Sequence, residues 1–421
     1  MKRVLDIEVW MLLMVAMLLT ACSDHSGEGS DEKGDCFLNI YVYAPEHPML
    51  TRADVGTIAS RTAKEHEVKT LQIWVFKHRD GGLVGYLEAK PTFLNETPGQ
   101  EKFQIKVLDK VFADHPENVD VYVVANAGSC GLVFGKNALT LDKNTERTKL
   151  EKAMIGEGSF GVNPLVSAVP KDAENNLLGL PMSGVLKNQS IYGSYPTLRV
   201  GTQDAMATLQ LIRAVSKLRF VICRKTEKEN AKKKLVSIDK IQLDGSVIPD
   251  SSYLMPVEKP SYTSVGYVST PIDYGSIAIE DIPAISNPMI YIYESQTAQE
   301  YEDLINGGID KTIKVNDVET PAPDLKEFGL TYFRESDKKL TGTITYTVQE
   351  REKVGEGWTA WETKEKTATF SMVDKGDFLR NHSWIVYVFY MDATIYVLTV
   401  TNIGMKVWAS GNFEEREVYN W

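Results

Sequence analysis

Along most of this chain, apolar and polar positions alternate in short runs with the period of two that a half-buried β-strand requires. In Leu340-Thr341-Gly342-Thr343-Ile344-Thr345-Tyr346-Thr347-Val348 the threonines face outward while Leu340, Ile344, Tyr346 and Val348 face inward. Phe103-Gln104-Ile105-Lys106-Val107-Leu108 has the same pattern. Other runs are apolar on both faces and read as central strands: Leu71-Gln72-Ile73-Trp74-Val75-Phe76, residues 119–126 and residues 384–390. Arg79-Asp80-Gly81-Gly82 predicts a hairpin into Leu83-Val84-Gly85-Tyr86-Leu87. Further strands are expected at 289–293, at 395–403 and over a long run at 209–222, where a phase shift near Arg213 suggests a bulge. The best helical stretch of the first half is 141–155, with Leu141, Leu150 and Met154 on one face and Asn144 or Thr145 as cap. Short strands, turn punctuation and few helices predict a mainly β chain, and 421 residues exceed one ordinary core. The expected architecture is two antiparallel β-sandwich domains in tandem.

The opening of the chain adds a second pattern. Lys2 and Arg3 precede an apolar run at 9–19, too short to span a bilayer but suited to a signal-peptide core. Leu19-Thr20-Ala21-Cys22 resembles a bacterial lipobox, which implies cleavage before Cys22 and a diacylglyceryl group on its sulfur. Residues 23–32 are polar, acidic and Gly-rich, the composition of a solvated tether. Then comes Cys36-Phe37-Leu38-Asn39-Ile40-Tyr41-Val42-Tyr43-Ala44, a strand pattern closed by Pro45 and Pro48, which cannot donate to a ladder. Leu50-Thr51-Arg52-Ala53-Asp54-Val55-Gly56 reads as an exposed linker with one basic residue, and Ser60-Arg61-Thr62 places another nearby. A strand between a lipid and a cuttable linker reads as temporary.

Composition excludes more than it assigns. An apolar content of 43% and a charged content of 24% describe a globular chain, and a net charge of −11 argues against a general nucleic-acid binder. Beyond Cys22, the cysteines Cys36, Cys130 and Cys223 are far apart and lack metal-ligand spacing. They could form one disulfide in an oxidising envelope, although a buried structural role fits them better. The six histidines form no HxH or HExxH pattern. Gly156-Glu157-Gly158-Ser159-Phe160-Gly161 matches GxGxxG, but a helical pattern precedes it where a dinucleotide site needs a strand, so it reads as a loop. Residues 224–240 concentrate charge, including Lys232-Lys233-Lys234; an anion patch and a solvated loop are both open there. No catalytic residue, metal site or cofactor is expected, and the chain reads as a non-enzyme.

Several of these motifs, in this order, resemble the FimA-type fimbrillins, the lipoprotein pilins of type V fimbriae in Bacteroidales-type bacteria. The resemblance runs from the lipobox through Arg52-Ala53 ahead of the strand at Leu71. It continues through Val121-Tyr122-Val123-Val124-Ala125-Asn126-Ala127-Gly128, Leu180-Pro181-Met182-Ser183-Gly184 and Arg213-Ala214-Val215-Ser216-Lys217-Leu218 to Arg380-Asn381-His382 and the tail with Trp408 and Trp421. It implies transthyretin-like sandwiches and a precursor carried to the outer membrane as a lipoprotein. It further implies an extracellular arginine-specific protease as a partner, cutting between Arg52 and Ala53 with Arg61-Thr62 as rival site. Loss of the first strand would leave a groove for the tail of another copy or of a related fimbrial subunit, and repetition would give a cell-surface fimbrium.

On this reading residues 1–21 are signal peptide, 22–52 tether and removable strand, 53–225 the first sandwich and 226–421 the second. The donor tail would run from about 404 to 421, with Ile403, Met405, Val407, Trp408, Val418, Tyr419 and Trp421 as its apolar contacts. Residues 395–400 would instead complete their own domain. Both a cleavable arginine and a donor tail favour a stalk subunit over an anchor or a tip. A different class remains open: a monomeric surface lipoprotein that binds a glycan or a host protein, with Trp358 and Trp361 as an aromatic platform. An adhesion ligand on a host or another bacterium is open in either case.

Overall fold

Period-two patterning makes the chain mainly β in the computed structural model. It describes residues 35–43, 67–91, 100–156, 171–174, 176, 178–228, 230–257, 262, 264–285, 312–315, 318–321, 326–371, 380–391, 394–406 and 417–419. The first stretch gives β1 (Phe37–Tyr43), β2 (Leu71–Lys77), β3 (Leu83–Ala89), β4 (Gln100–Lys106), a short helix α1 (Lys110–Asp114) and β5 (Val119–Ala125). There follow β6 (Leu132–Phe134), β7 (Asn137–Ala138), a second short helix α2 (Arg147–Glu151) and β8 (Met154–Ile155). Next come β9 (Met182–Gln189), β10 (Ile191–Ser194), β11 (Thr197–Val200), β12 (Thr208–Gln210) and β13 (Ile212–Arg213). One sheet holds β10, β11, β1, β12 and β4; a second runs β13-β9-β5-β2-β3. Their buried faces supply most of one apolar cluster, which includes Leu38, Ile40 and Val42 of β1 with Ile73, Val75, Val121 and Val123 of the second sheet.

The rest of the chain contributes β14 (Val215–Lys225), β15 (Lys233–Leu243), β16 (Ser252–Tyr253), β17 (Ile272–Asp273), β18 (Ile277–Ala278) and β19 (Ala284–Ile285). It continues with β20 (Thr312–Val315), β21 (Val318–Pro321), β22 (Lys326–Arg334), β23 (Thr341–Glu350), β24 (Lys353–Val354) and β25 (Gly357–Trp358). Last are β26 (Glu362–Ser371), β27 (His382–Met391), β28 (Thr394–Lys406) and β29 (Glu417–Tyr419). One sheet here runs β19-β14-β27-β28-β29 with β22 also on β14; another runs β17-β15-β23-β26 with β18 on β15. Between them lies a second apolar cluster built around Phe220, Ile241, Ile344, Tyr346 and Phe370. In β23 the expected alternation holds residue by residue: Gly342, Ile344, Tyr346 and Val348 are buried, and the threonines are half-exposed.

The two clusters part inside β14. Val215 packs into the first, whereas Leu218, Phe220 and Ile222 pack into the second. Leu254, Met255 and Tyr332 return to the first cluster from much later in the chain. Most of β14 therefore feeds the second core, although the sequence pattern grouped residues 53–225 together.

Tertiary bonds override two local expectations. The helix expected over 141–155 is only α2, preceded by Glu146 without a side-chain cap and followed by β8. Trp74 Nε1 donates to the Asp142 carbonyl at 2.8 Å and Gln72 Nε2 to that of Leu141 at 3.0 Å, so the backbone here serves β2 instead of a helix ladder. The long strand expected over 209–222 is three strands. At Leu211 and Ala214 the chain changes sheets, from β12 beside β1 to β13 beside β9 and then to β14, and the register shift lies between Leu218 and Phe220. The 289–293 run and residues 157–161 of the glycine motif lie outside the described residues. No helix among the described residues is long and apolar enough to cross a membrane.

Candidate functional site: the groove filled by β1

Alternation places Leu38, Ile40 and Val42 on the inner face of β1, and all three are fully buried. Phe37, Tyr41 and Tyr43 lie half-buried on the other face. β4 runs antiparallel along the entire strand, from Phe37 opposite Lys106 to Tyr43 opposite Gln100. Along the other edge, β11 and β12 lie end to end and parallel to β1, pairing with residues 37–39 and 41–43. Backbone bonds close both ends: Phe37 N–H donates to the Pro196 carbonyl at 2.9 Å, and Leu211 N–H to that of Tyr43 at 2.9 Å. β1 is thus an interior strand whose neighbours on one edge come from a distant part of the chain. Burial of its three inner side chains contributes about 5–9 kcal/mol at ~1.5–3 kcal/mol each.

On the opposite face of β1 one polar side chain is buried as well. Asn39 is buried and its Nδ2 donates to the Leu198 carbonyl at 2.9 Å, which satisfies the amide and fixes register against β11. The groove wall is set from behind by Gly184 of β9. A β-carbon at Gly184 would stand 2.5 Å from the Gln210 carbonyl oxygen of β12, so only glycine lets the two sheets approach this closely.

The residues that carried the family resemblance meet in buried polar joints. Asn126, at φ 56°, accepts from Lys69 N–H at 2.8 Å and donates to the carbonyls of Glu67 and Leu180 at 2.8 Å, tying the entry to β2 to the entry to β9. Ser183 Oγ donates to the Leu254 carbonyl at 2.6 Å, and Arg380 Nη1 donates to the same oxygen at 2.8 Å. Arg380 Nε also meets Glu335 Oε2 at 3.0 Å, with both residues buried. Arg334 reaches the carbonyls of Pro249 at 2.9 Å and Gly156 at 3.0 Å, and Arg213 donates to Asn381 Oδ1 at 2.9 Å. The contacts of Arg213, Arg334 and Arg380 fasten elements of the two clusters to each other, whereas those of Asn126 and Ser183 lie within the first. Sequence reasoning missed the Glu335–Arg380 pair; its one signal was the charged Arg334-Glu335 ending an apolar strand.

Many of the other expected site residues fall elsewhere. Cys22, Arg52, Ala53, Arg61 and Thr62 lie outside the described residues, as do Val407, Trp408 and Trp421. Ile403 and Met405 belong to β28, and Val418 and Tyr419 to β29. β28 pairs with β27 from Thr394 to Ile403; beyond that, among the described residues, Gly404 and Lys406 pair with β29 alone. Cys36, Cys130 and Cys223 are free thiols. Among the described residues no cluster of His, Cys, Asp and Glu could hold a metal ion. His78 Nδ1 lies 2.7 Å from Asp120 Oδ1, but that buried carboxylate also accepts from Arg147 at 3.0 Å and from Asn188 N–H at 2.8 Å, which fastens α2 and a turn.

Trp358 and Trp361, named for the alternative glycan-binding reading, are stacked against cations. The Arg351 guanidinium carbon stands 4.5 Å from the Trp358 ring centre and 4.3 Å from that of Trp361, and Lys234 Nζ stands 4.6 Å from the latter. Cations therefore already occupy indole faces on which a sugar would stack. Nearby, hydrogen bonds from Lys366 and Lys364, outweighing partial desolvation, together with a bond from Lys233, hold the Glu350 carboxyl down at about 2.

No protein-family model and no curated protein matches this sequence. Among solved structures, its chain path is similar to the tip fimbrial protein Mfa3 of Porphyromonas gingivalis with C-terminal truncation, at 13% identity over 87% of this chain and 99% of that one, with a TM-score of 0.43. It is also similar to a fimbrial assembly protein of Parabacteroides distasonis, at 13% identity, 87% and 95% coverage and a TM-score of 0.39. A fimbrial protein of Bacteroides vulgatus gives 10% identity, 87% and 98% coverage and a TM-score of 0.34. Likenesses of this strength assign no role by themselves.

Proposed function

We propose that this chain is a fimbrial subunit of the stalk type, exported as a lipoprotein on Cys22 and polymerised by strand exchange after cleavage between Arg52 and Ala53. The observation that carries the reading is the position of β1: the first strand after an acidic tether, interior to its sheet, and followed by a linker containing Arg52 and Arg61. Hydrolysis of the linker turns β1 from a covalent part of the fold into a bound peptide. Its departure exposes the edges of β4, β11 and β12 together with the apolar row that Leu38, Ile40 and Val42 covered. Such an edge takes up an incoming strand readily, because ladder bonds and side-chain pockets are already laid out.

The incoming strand is assigned to residues 404–421 of another copy. Pairing with β27 ends at Ile403, so release of residues 404–421 leaves the second core's sheet intact. Groove and tail lie in different sheets, so the contact is heterologous and propagates as a fibre. The test is to treat purified precursor with an arginine-specific protease, sequence the new N-terminus and look for ladders on unboiled gels. A new terminus at Ala53 with ladders, lost on deletion of 404–421, is the expected result. Clean cleavage that leaves only monomer overturns the stalk reading, and ladders that survive the deletion overturn the tail assignment.

A further inference from the structure

The loop between β14 and β15 bears a lysine cluster that the strand-exchange reading does not use. Backbone and side-chain bonds hold the loop in place. Glu227 Oε1 accepts from Leu235 N–H at 2.9 Å, Ala231 N–H donates to the Lys228 carbonyl at 2.9 Å, and Arg351 N–H donates to that of Lys232 at 2.8 Å. Arg351 Nε adds a bond to the Ala231 carbonyl at 3.1 Å. Glu227, Lys228, Ala231 and Lys232 are thus each held by a bond to the surrounding chain.

Lys225, Lys228, Lys232 and Lys233 line a single cleft of about 460 Å³ beside the buried Tyr390. Lys233 pairs with Glu350 at 3.2 Å, while among the described residues the exposed Lys228 and Lys232 have no ion-pair partner. Among the described residues Glu227 is the acidic side chain lining the cleft, and it spends one oxygen on the Leu235 amide. Arg351 and Lys234 add fixed positive charge alongside, stacked on Trp358 and Trp361. In a chain of net charge −11, so much positive charge in one concavity runs against the overall field. Ammonium groups around a cleft repel one another, and an anion with several oxygens relieves that repulsion while accepting short charge-assisted bonds.

We propose that this cleft is a binding site for a multiply charged oxyanion ligand, carrying sulfate or phosphate groups, recognised by Lys225, Lys228, Lys232 and Lys233. The site belongs to the second core and is independent of β1, so it operates whether or not the chain polymerises.

The test titrates the full chain by calorimetry with two probes, inorganic tripolyphosphate and a sulfated heparin-type hexasaccharide, at low and at physiological ionic strength. At least one probe should bind, more weakly as salt rises, because exposed charge pairs are screened. The tripolyphosphate and saccharide arms distinguish a phosphate source from a sulfated glycan. Lys228→Glu with Lys232→Glu should weaken binding by about tenfold or more. Lys228→Gln with Lys232→Gln should lie between this variant and the native chain, with an unchanged melting temperature. Lys136→Glu with Lys143→Glu, an equal charge change on exposed positions of the first half, should leave affinity unchanged. Three outcomes overturn the site: neither probe binds, the Lys228/Lys232 reversal binds as tightly as the native chain, or the Lys136/Lys143 reversal weakens binding equally.

Discussion

β1 and the far end of β28 are both strand segments near the ends of the chain, and they are held in opposite ways. β1 has a neighbour on each edge, a buried apolar row and a buried amide bond from Asn39. Beyond Ile403, among the described residues, β28 has left β27 and pairs only with β29, a strand of three residues. Under the proposed strand exchange, the difference teaches where control is needed. A strand paired along both edges and buried on one face is held by many bonds at once, whereas a segment paired only with a strand of three residues is held by few.

The largest expected effect is in β1. Ile40→Asp places a carboxylate among Leu38, Val42 and the facing sheet, in an apolar row, and should destabilise by about 4 kcal/mol or more. Urea unfolding followed by tryptophan fluorescence reads this; a loss below about 1 kcal/mol would show that β1 is not integral to the first core. Gly184→Ala sharpens the same point from behind, since its methyl group meets the Gln210 carbonyl of the groove wall. We expect about 1–3 kcal/mol from overpacking, and arginine-cut protein carrying this change should ladder more slowly.

A surface contact of the second core provides a smaller effect with a defined pH signature. Glu350 is held at about 2 by Lys366, Lys364 and Lys233, below the ordinary carboxylate value expected in the unfolded chain. A depressed folded-state value means that its stabilisation is present above about pH 4.5 and disappears as pH falls towards about 2. The stability gap between the native chain and Glu350→Gln should close over that window; a constant gap would assign it to packing. The smallest effect is expected from deleting 404–421, which should shift stability by no more than about 0.5–1 kcal/mol. A large loss there would erase the contrast between the two strands.

Much of the fold is legible in the sequence. Strict alternation set the inner face of β23, strand-forming composition marked β1, and Arg79-Asp80-Gly81-Gly82 set the hairpin between β2 and β3, where Gly81 takes φ 74°. The helix over 141–155 was misread because carbonyls that would serve a helix are taken by Trp74 and Gln72, which no local window contains. The bulge near Arg213 was misread because a phase shift looks the same whether a strand bulges or changes sheet. Asn126, Ser183, Gly184 and Arg380 stood out as motif residues without a reason, and the reason lies in partners far along the chain.

By itself, the sequence determined that the chain is mainly β and, in runs such as β23, which face is wet, because period-two alternation is a local property of a pleated backbone. It also placed a lipobox-like stretch, an acidic Gly-rich stretch, a strand pattern and two arginines in that order. Tertiary structure alone decided that β1 is interior, that β14 feeds the second core, that a buried Glu335–Arg380 pair joins the halves and that four lysines share one cleft. Pairing partners and burial depend on contacts between residues far apart in the chain, and composition and spacing do not record them.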